Sequence, residues 1–300
     1  MIEFSIVTPS CGRAESLERL LQATSRLDYP SDRFEVILVD DGSPVPLDGT
    51  VAPYRGRLRL RLLRQENRGP GAARNVGARE AAGRYLAFTD DDCAPDAGWL
   101  KGIEKTLQQA PGSACGGKTA NMHPESLPAQ ATQLLMDYLY ENYNPVVRAG
   151  AFFPANNLAV PRDRFLELDG FDEALRYGED REFCSRWQSR GFPFVTAPEA
   201  VVRHGHRQDL RTFLRLHFLY GGGTSRFRSV AKKKRLTPAE YSSPLWYLGL
   251  VLSGVKREPN WRGVALSLLL AASQAASLAG MGWTWLTHTA EGGKENREAN

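Results

Sequence analysis

Apolar runs of strand length alternate with segments of helical spacing along the first two hundred residues. The runs are nearly continuous, which is typical of strands that helices cover on both faces. Between them, leucines recur at helical spacing in residues 14–27, and an alanine-rich segment covers 71–83. The pattern predicts helices in those two segments and strands at 4–8, 34–40, 58–63 and 84–90.

The alternation loosens beyond residue 110, although periodic segments continue. Residues 128–143 and 179–191 have the spacing of helices, and 151–160 is predicted as a strand around a polar kink. Because helices separate the strands, we expect an α/β fold with a mostly parallel sheet flanked by helices.

Polar residues that could bind a ligand follow three of the predicted strands. Pro9, Asp40–Asp41 and Asp90–Asp92 each come where an apolar run ends. In doubly wound sheets, ligands bind outside the carboxyl ends of the strands. We therefore expect these residues to lie along one edge of the sheet.

Three aspartates, Asp90, Asp91 and Asp92, are adjacent where a buried strand is predicted to end. This arrangement needs an explanation, because like charges repel strongly near a low-dielectric core. On an extended chain, residues i and i+2 share a face, so we expect Asp90 and Asp92 to point the same way and Asp91 elsewhere. Mg²⁺ and Mn²⁺ are held by one or two carboxylates together with substrate phosphates. The stretch is thus a candidate metal–diphosphate site, and an acidic surface turn is the alternative.

Two further stretches offer binding groups. Asp40 and Asp41 precede a glycine, where their carboxylates suit a nucleobase N–H or ribose hydroxyls, or else cap the turn itself. The glycine-rich stretch 66–80 opens a helix with Arg68 and Arg74, which favours a phosphate-bearing ligand. It lacks the sequence of a P-loop and of a dinucleotide-binding turn.

The character of the chain changes after residue 207. A basic run, Lys232–Arg235, is followed by an uncharged stretch, 263–290, that is long enough to span a bilayer. Three arrangements stay open: a helical appendage on an anionic membrane surface, a helix pair packed on the catalytic domain, and a true span. We expect a catalytic domain at 1–207, a helical appendage at 208–290 and a disordered tail at 291–300.

Composition limits the classes of binding partner and indicates the cellular compartment. A net charge of +4 over 300 residues allows an anionic substrate or membrane surface and does not suggest nucleic acid. Four scattered cysteines predict structural thiols in a reducing compartment. The first residues, MIEFSIVTPS, lack a basic leader, so we expect a cytoplasmic protein.

Five stretches in this order carry a resemblance: FSIVTPSCGR, ILVDDGS, NRGPGAARNVG, GRYLAFTDDDC and GFDEALRYGEDREFCSRW. Together they resemble the family 2 glycosyltransferases, inverting enzymes of the GT-A fold. The resemblance covers residues 3–206.

The resemblance implies a donor site on the first half of the chain. Its nucleobase contacts would be Thr8, Pro9, Asp40 and Asp41, with Arg74 and Asn75 beside the nucleotide. The aspartate stretch would bind the ribose and the metal, Asp90 and Asp92 being the metal ligands and Asp91 part of the nucleotide-sugar site.

The resemblance also implies the catalytic groups. Asp180 is the favoured general base and Glu179 the second choice, although both lie at a helix start, where carboxylates are also favoured by the helix dipole. Asn156 and Asn157 would border the sugar and the acceptor. His204 is an expected metal ligand, and His206 a weaker candidate.

These residues predict transfer of a sugar from a nucleotide-diphosphate donor, UDP-linked by default, to an acceptor hydroxyl with Mn²⁺ or Mg²⁺ as cofactor. The acceptor would be a saccharide or lipid-linked, as in polysaccharide or glycolipid synthesis, at the cytoplasmic face of the membrane. A nucleotidyltransferase is one alternative, but TPSCGRAES lacks the expected basic, glycine-rich loop. A non-catalytic nucleotide-sugar or cation-binding module is the other.

Overall fold

The computed structural model describes residues 1–143, 152–205, 209–236 and 243–298. The chain divides into two compact units. The sheet unit comprises Met1–Met122 and Tyr143–His206, and the helical unit comprises His123–Asn142 and Arg207–Asn300. The expected domain boundaries stay predictions.

Eight strands form one sheet in the order β3-β2-β1-β4-β7-β6-β8-β5. Neighbours are parallel from β3 to β4 and between β6 and β8, whereas β7 is antiparallel to both its neighbours and β5 is antiparallel to β8. The strands are β1 (Phe4–Ser10), β2 (Phe34–Asp41), β3 (Leu60–Gln65), β4 (Tyr85–Phe88), β5 (Cys93–Pro95), β6 (Ala114–Asn121), β7 (Leu158–Pro161) and β8 (Phe194–His204).

Ten helices accompany the sheet, with short 3-10 turns at Ala52–Tyr54 and Ala155–Asn157. They are α1 (Ala14–Thr24), α2 (Asp48–Val51), α3 (Pro70–Glu80), α4 (Trp99–Gln109), α5 (Leu127–Tyr143), α6 (Arg162–Glu167), α7 (Glu179–Ser189), α8 (Leu210–Lys233), α9 (Pro244–Arg257) and α10 (Trp261–Glu298). This count covers the described residues.

The predicted architecture is confirmed: an α/β fold whose sheet is flanked by helices. The strands and helices expected up to residue 90 are present, with ends shifted by a few residues. Helices α5 and α7 lie where the periodicity predicts them, and the kinked segment is a 3-10 turn that leads into β7. The sheet is mixed, because periodicity identifies strands without fixing their direction.

Apolar periodicity builds the core of the sheet unit. Leu17, Leu20 and Leu21 of α1 are buried against Phe4 and Ile6 of β1. Removing such a side chain from water contributes about 1.5–3 kcal/mol, so this stripe fixes the helix on the sheet. The parallel strands β1, β2 and β4 end at one edge, which gathers the loops that follow them.

The helical unit has a core of its own, formed by Ala131, Leu134, Phe213, Leu250, Leu266 and Leu270. Within α10, the segment Trp261–Thr287 is long and apolar enough to cross a membrane. The helix continues to Glu298, through most of the residues for which the sequence predicts a disordered tail.

Candidate active site

The two aspartates at the end of β2 are buried and hold the neighbouring loops. Asp40 accepts a hydrogen bond from the backbone N–H of Ser43 at 2.8 Å. Asp41 accepts from the Gln65 amide at 2.7 Å and from the backbone N–H groups of Arg68 and Gly69 at 2.9 Å. This is the turn-capping arrangement, and the expected nucleobase contact by either carboxylate stays a prediction.

Residues 90–92 form a turn and not an extended strand, since the N–H of Cys93 donates to the carbonyl of Asp90 at 3.1 Å. The extended geometry from which Asp90 and Asp92 were expected to share a face is therefore wrong, and their joint orientation toward a ligand stays a prediction. The guanidinium of Arg13 pairs with both Asp91 and Asp92 at 2.8 Å, whereas Asp90 pairs with Arg74 at 2.5 Å. The positive charges of the two arginines thus partly neutralise the negative charges of the three carboxylates.

Asp91 differs from its two neighbours because it lies inside the protein. Its carboxylate is fully buried and accepts a hydrogen bond from the Ser10 hydroxyl at 2.7 Å. Burial raises the pKa of Asp91 to about 7, against the opposing charge of Arg13. Asp90, with 26% of its side chain exposed, is more accessible to a ligand than Asp91.

His204 reaches the aspartate turn through strand pairing. Antiparallel β5 and β8 place Cys93 opposite His204, and the N–H of Gly205 donates to the carbonyl of Asp92 at 2.8 Å. The His204 Nε2 atom lies 3.1 Å from a carboxylate oxygen of Asp92. Burial lowers the pKa of His204, but the charge and the hydrogen bond of Asp92 and the charge of Asp90 together outweigh that effect and raise it overall.

Ligand atoms of Asp92, Cys93 and His204 lie within 4.8 Å of one another. A carboxylate oxygen suits Mg²⁺ and Mn²⁺, an imidazole nitrogen suits metals of borderline character, and a thiol is a soft ligand. The Asp92 carboxylate therefore fits a divalent cation such as Mn²⁺, and the His204 imidazole lies beside it as a second possible ligand. His206, the weaker candidate, lies outside the described residues.

Arg74 connects the aspartate turn to the start of α7. Its guanidinium is only 4% exposed and pairs with Asp90 at 2.5 Å and with Glu179 at 2.8 Å. The ring of Phe171 lies 5.7 Å below it. Burial lowers the pKa of Arg74, but the two carboxylates raise it by more, so the group stays charged.

Glu179 and Asp180 begin α7 directly after Gly178, whose positive φ of 84° turns the chain into the helix. Burial raises the pKa of both carboxyls, and the charge of Arg74 opposes this shift. Asp180 is the more exposed of the two and accepts from the N–H of Arg181 at 2.8 Å. Its other oxygen lies 3.4 Å from the backbone N of Ala155, a long contact for a hydrogen bond.

The asparagines named from the resemblance are bonded within the protein. Asn75 accepts from the N–H of Phe171 and donates to its carbonyl, each at 2.8 Å. Asn157 accepts from the Trp99 indole at 2.8 Å and donates to the carbonyls of Lys118 and Ala200 at 3.0 Å. These contacts fix loops, and binding of the donor or acceptor by these amides stays a prediction.

The remaining predicted residues lie at the same edge. Thr8 and Pro9 are buried in β1, and the Thr8 hydroxyl has no hydrogen-bond partner among the described residues. The Asn156 amide is buried and accepts from the Thr119 hydroxyl at 3.3 Å.

Sequence reasoning missed Arg13 and Cys93. Arg13 lies in the loop that follows the first strand, three residues after its end, so the rule that selected Pro9 could have been extended to it. The position of Cys93 beside His204 depends on strand register, for which the sequence carries no local signal.

A family model, "Glycosyl transferase family 2", matches residues 5–158, which is more than half of the chain. The chain belongs to this family. A pre-mycofactocin glycosyltransferase of Mycobacterium tuberculosis (strain CDC 1551 / Oshkosh) is 27% identical over 74% of the chain and 47% of its own length. Glycosyltransferase AglE of Haloferax volcanii is 26% identical over 73% of the chain and 72% of its own length. The chain thus spans about half the length of the mycobacterial relative.

Solved structures agree with the fold. The mannosyltransferase PcManGT from Pyrobaculum calidifontis, in complex with GDP-Man and Mn²⁺, has a TM-score of 0.63 at 19% identity, over 91% of the chain and 73% of its own. Residues 1–349 of TarS from S. aureus, in complex with UDP-GlcNAc, have a TM-score of 0.56 at 18% identity, over 93% and 89%. These similarities confirm the GT-A fold.

Replacement of Arg13 tests whether it competes with a cation for the aspartates. In Arg13→Gln, we expect Mn²⁺ to bind about fivefold more tightly without nucleotide, since a half-exposed ion pair contributes at most about 1 kcal/mol. Calorimetric titration of Mn²⁺ measures this. Arg61→Gln, which removes a comparable ion pair to Glu80, is the matched control. Equal or weaker binding by Arg13→Gln would show that no such competition exists.

Proposed function

We propose that the chain is a metal-dependent, inverting glycosyltransferase that moves a sugar from a nucleotide-diphosphate donor to an acceptor hydroxyl. The bridge from Asp90 through Arg74 to Glu179 carries this proposal. It joins the turn suited to a metal and diphosphate to the helix start that bears the candidate base. Membership of family 2 supports the same reaction class.

The donor side rests on the aspartate turn. Asp92 and His204 would hold Mn²⁺ or Mg²⁺, with Asp90 beside them. The bound cation would supply positive charge for the departing diphosphate. The structural neighbours crystallised with GDP-Man and Mn²⁺, or with UDP-GlcNAc, support a nucleotide-sugar donor. They differ in base, so UDP is the default that the experiment below compares with others.

On the acceptor side, Asp180 is the proposed general base. It takes the proton of the acceptor hydroxyl as that oxygen attacks the anomeric carbon. The bond from this carbon to the diphosphate oxygen breaks, and its electron pair leaves with the diphosphate. Attack from the opposite face inverts the configuration. Glu179 is a positioning residue, because its carboxylate is buried against Arg74.

The acceptor is proposed to be a saccharide or a lipid-linked molecule at the cytoplasmic face of a membrane. Homologues named as glycosyltransferases support an acceptor of this kind in general terms. The exposed apolar residues of α9 and α10 support the location at a membrane.

Calorimetric titration of UDP, GDP and dTDP, with and without Mn²⁺, tests the donor site. We expect tight binding of one nucleotide only when Mn²⁺ is present, and a loss of about tenfold or more in Asp92→Asn, because the cation bridges carboxylate and diphosphate. Equal, weak binding in all conditions would identify the aspartate stretch as an acidic turn and remove the basis of the proposal.

Asp180→Asn separates catalysis from binding. We expect turnover to fall about 10²–10⁴-fold, the usual contribution of a general base, with donor affinity unchanged. Donor consumption in the presence of an accepted saccharide gives the rate, and the titration above gives the affinity.

Asp163→Asn is the matched control, because Asp163 is an exposed carboxylate in the first turn of α6. If Asp180 only stabilised a helix start through its dipole, both variants would behave alike. Unchanged turnover in Asp180→Asn would exclude it as the base.

The raised pKa of Asp180 predicts the pH profile. A general base acts when deprotonated, and burial raises its pKa above the ordinary aspartate value of about 3.9. Activity should therefore be lost, as pH falls, at a higher pH than an exposed aspartate would give. The acid limb of kcat/KM, with circular dichroism at each pH as a folding control, measures this. A limb centred at or below the ordinary value would contradict the assignment.

A further inference from the structure

Helix α10 carries apolar residues on its exposed face as well as on its buried face. Leu266 and Leu270 belong to the core of the helical unit, and the other buried positions include the small or polar residues Ser267, Ser273 and Gly280. Large apolar residues are also exposed: Leu268 and Leu278 are each 66% exposed. A surface helix of a soluble protein has its apolar stripe toward the core and polar residues on the opposite face.

Small residues let the helices of this unit approach backbone to backbone. A Cβ atom added to Gly221 of α8 would overlap the carbonyl oxygen of Ser277 in α10. One added to Gly280 of α10 would overlap the carbonyl oxygen of Phe218 in α8. At Gly254 of α9, the Ser267 hydroxyl would be 2.7 Å away. Helices that pack in lipid use small residues in this way, because burial of apolar side chains gives them no advantage there.

Helix α9 also exposes a continuous apolar stripe. Leu245, Leu248, Leu252 and Val255 recur at helical spacing and are all exposed. In α10, only 28% of the most apolar part of Trp261–Thr287 is buried, whereas the core helix of a soluble protein would be mostly buried. Contiguous exposed apolar surface of this extent marks a site of interaction.

The charges nearby identify the chemistry of the partner. Residues 226–262 contain nine lysines and arginines and two glutamates. Lys232–Arg235 is exposed, and Lys256, Arg257 and Arg262 lie around the connection from α9 to α10. Arg257 pairs with Asp137 and Arg262 with Glu258. By composition, nine basic residues against two glutamates give this segment a formal charge of +7. Apolar surface beside excess positive charge is complementary to an anionic lipid bilayer.

The contacts between α8 and α10 indicate whether α10 lies in the bilayer surface or crosses the bilayer. Arg215 and Arg226 of α8 are exposed and flank the contact with α10 at Phe218 and Gly221. If α10 crossed the bilayer, these arginines would be drawn into hydrocarbon at high cost. If α10 lies in the plane, α8 stays at the headgroups. The 14 residues of α9 extend about 21 Å, less than the hydrocarbon thickness of about 30 Å.

We propose that α9 and α10 lie in the plane of an anionic bilayer and insert their exposed apolar side chains among the lipids. The inserting face is defined by Leu245, Leu248, Leu252, Val264, Leu268 and Leu278. This inference deepens the membrane contact put forward above, on which it rests. It assigns the residues and the depth of that contact, and it is independent of the transfer reaction.

Flotation of the full chain with vesicles tests the proposal. The wild-type chain should float with phosphatidylcholine vesicles that contain about 30% phosphatidylglycerol, because the anionic lipid attracts basic segments. Its binding to vesicles of pure phosphatidylcholine should be at least tenfold weaker. The double variant Leu268→Gln, Leu278→Gln should lose at least tenfold in binding, because both side chains are proposed to enter the lipid. Val45→Gln, at an equally exposed position of the sheet unit, is its control.

A second pair of variants tests the charge. Lys232→Gln, Lys233→Gln should weaken binding by about tenfold, whereas Lys101→Gln, Lys105→Gln, which removes two exposed lysines of α4, should leave it unchanged. Alkaline carbonate should release the bound chain, since an in-plane helix is peripheral.

Three results would overturn the proposal: no flotation with either vesicle, resistance to carbonate, or a lipid-free dimer that the leucine variant dissociates. The last would identify a second copy of the chain as the occupant. UDP binding measured on the same samples distinguishes these failures from failure of the glycosyltransferase proposal.

Discussion

The guanidinium of Arg74 is the contact on which the rest of the candidate site depends. It is almost fully buried and pairs at once with Asp90 and Glu179, residues that lie 89 positions apart in the chain. Without it, the buried carboxylate of Glu179 would lack this counterion, and removal of one partner from such a buried pair typically costs about 3–5 kcal/mol. Asp90 is 26% exposed, so water would compensate its charge in part. The aspartate turn and the start of α7 therefore take up their positions together, and Arg13 gives a second, more exposed counterion to the same turn.

The two arginines differ in burial, and so in how strongly each one binds its carboxylates. Loss of the Arg74 charge would leave Glu179 ionised in a low-dielectric environment without this counterion, which is energetically costly. The pairs therefore fix the positions of Asp90 and Glu179. Arg13 is 52% exposed, so its pair with Asp92 is weaker than the buried pair of Arg74 with Glu179, whereas Asp91 is fully buried. If the turn binds a divalent cation as proposed, Arg13 is the counterion that the cation would displace from Asp92.

Much of the fold could be predicted from local pattern, because apolar periodicity reports the exposure of each residue to the core. The run at 34–40 and the leucines of α1 illustrate this, since both are buried as their spacing requires. The site was only partly predictable. Periodicity located Asp90–Asp92 at a strand end, but an extended geometry was assumed where the chain turns. The approach of His204 to Asp92 follows from antiparallel pairing of β5 with β8, and the bonds of Asn157 to Trp99 and two distant carbonyls follow from tertiary packing.

The C-terminal helices show a different limit of sequence reasoning. Hydropathy counted the apolar residues of 263–290 but could not tell which of them face protein. In α1, the large leucines are buried and the polar residues exposed, as water requires. In α10, Leu268 and Leu278 are exposed, while Ser273 and Gly280 are buried together with Leu266 and Leu270. Exposure of the large side chains would cost nothing if, as we propose, the solvent around that face is lipid, since burial of an apolar side chain against protein then brings no gain over hydrocarbon. Hydropathy alone does not carry this distinction, because the distinction depends on which residues of the helix contact protein.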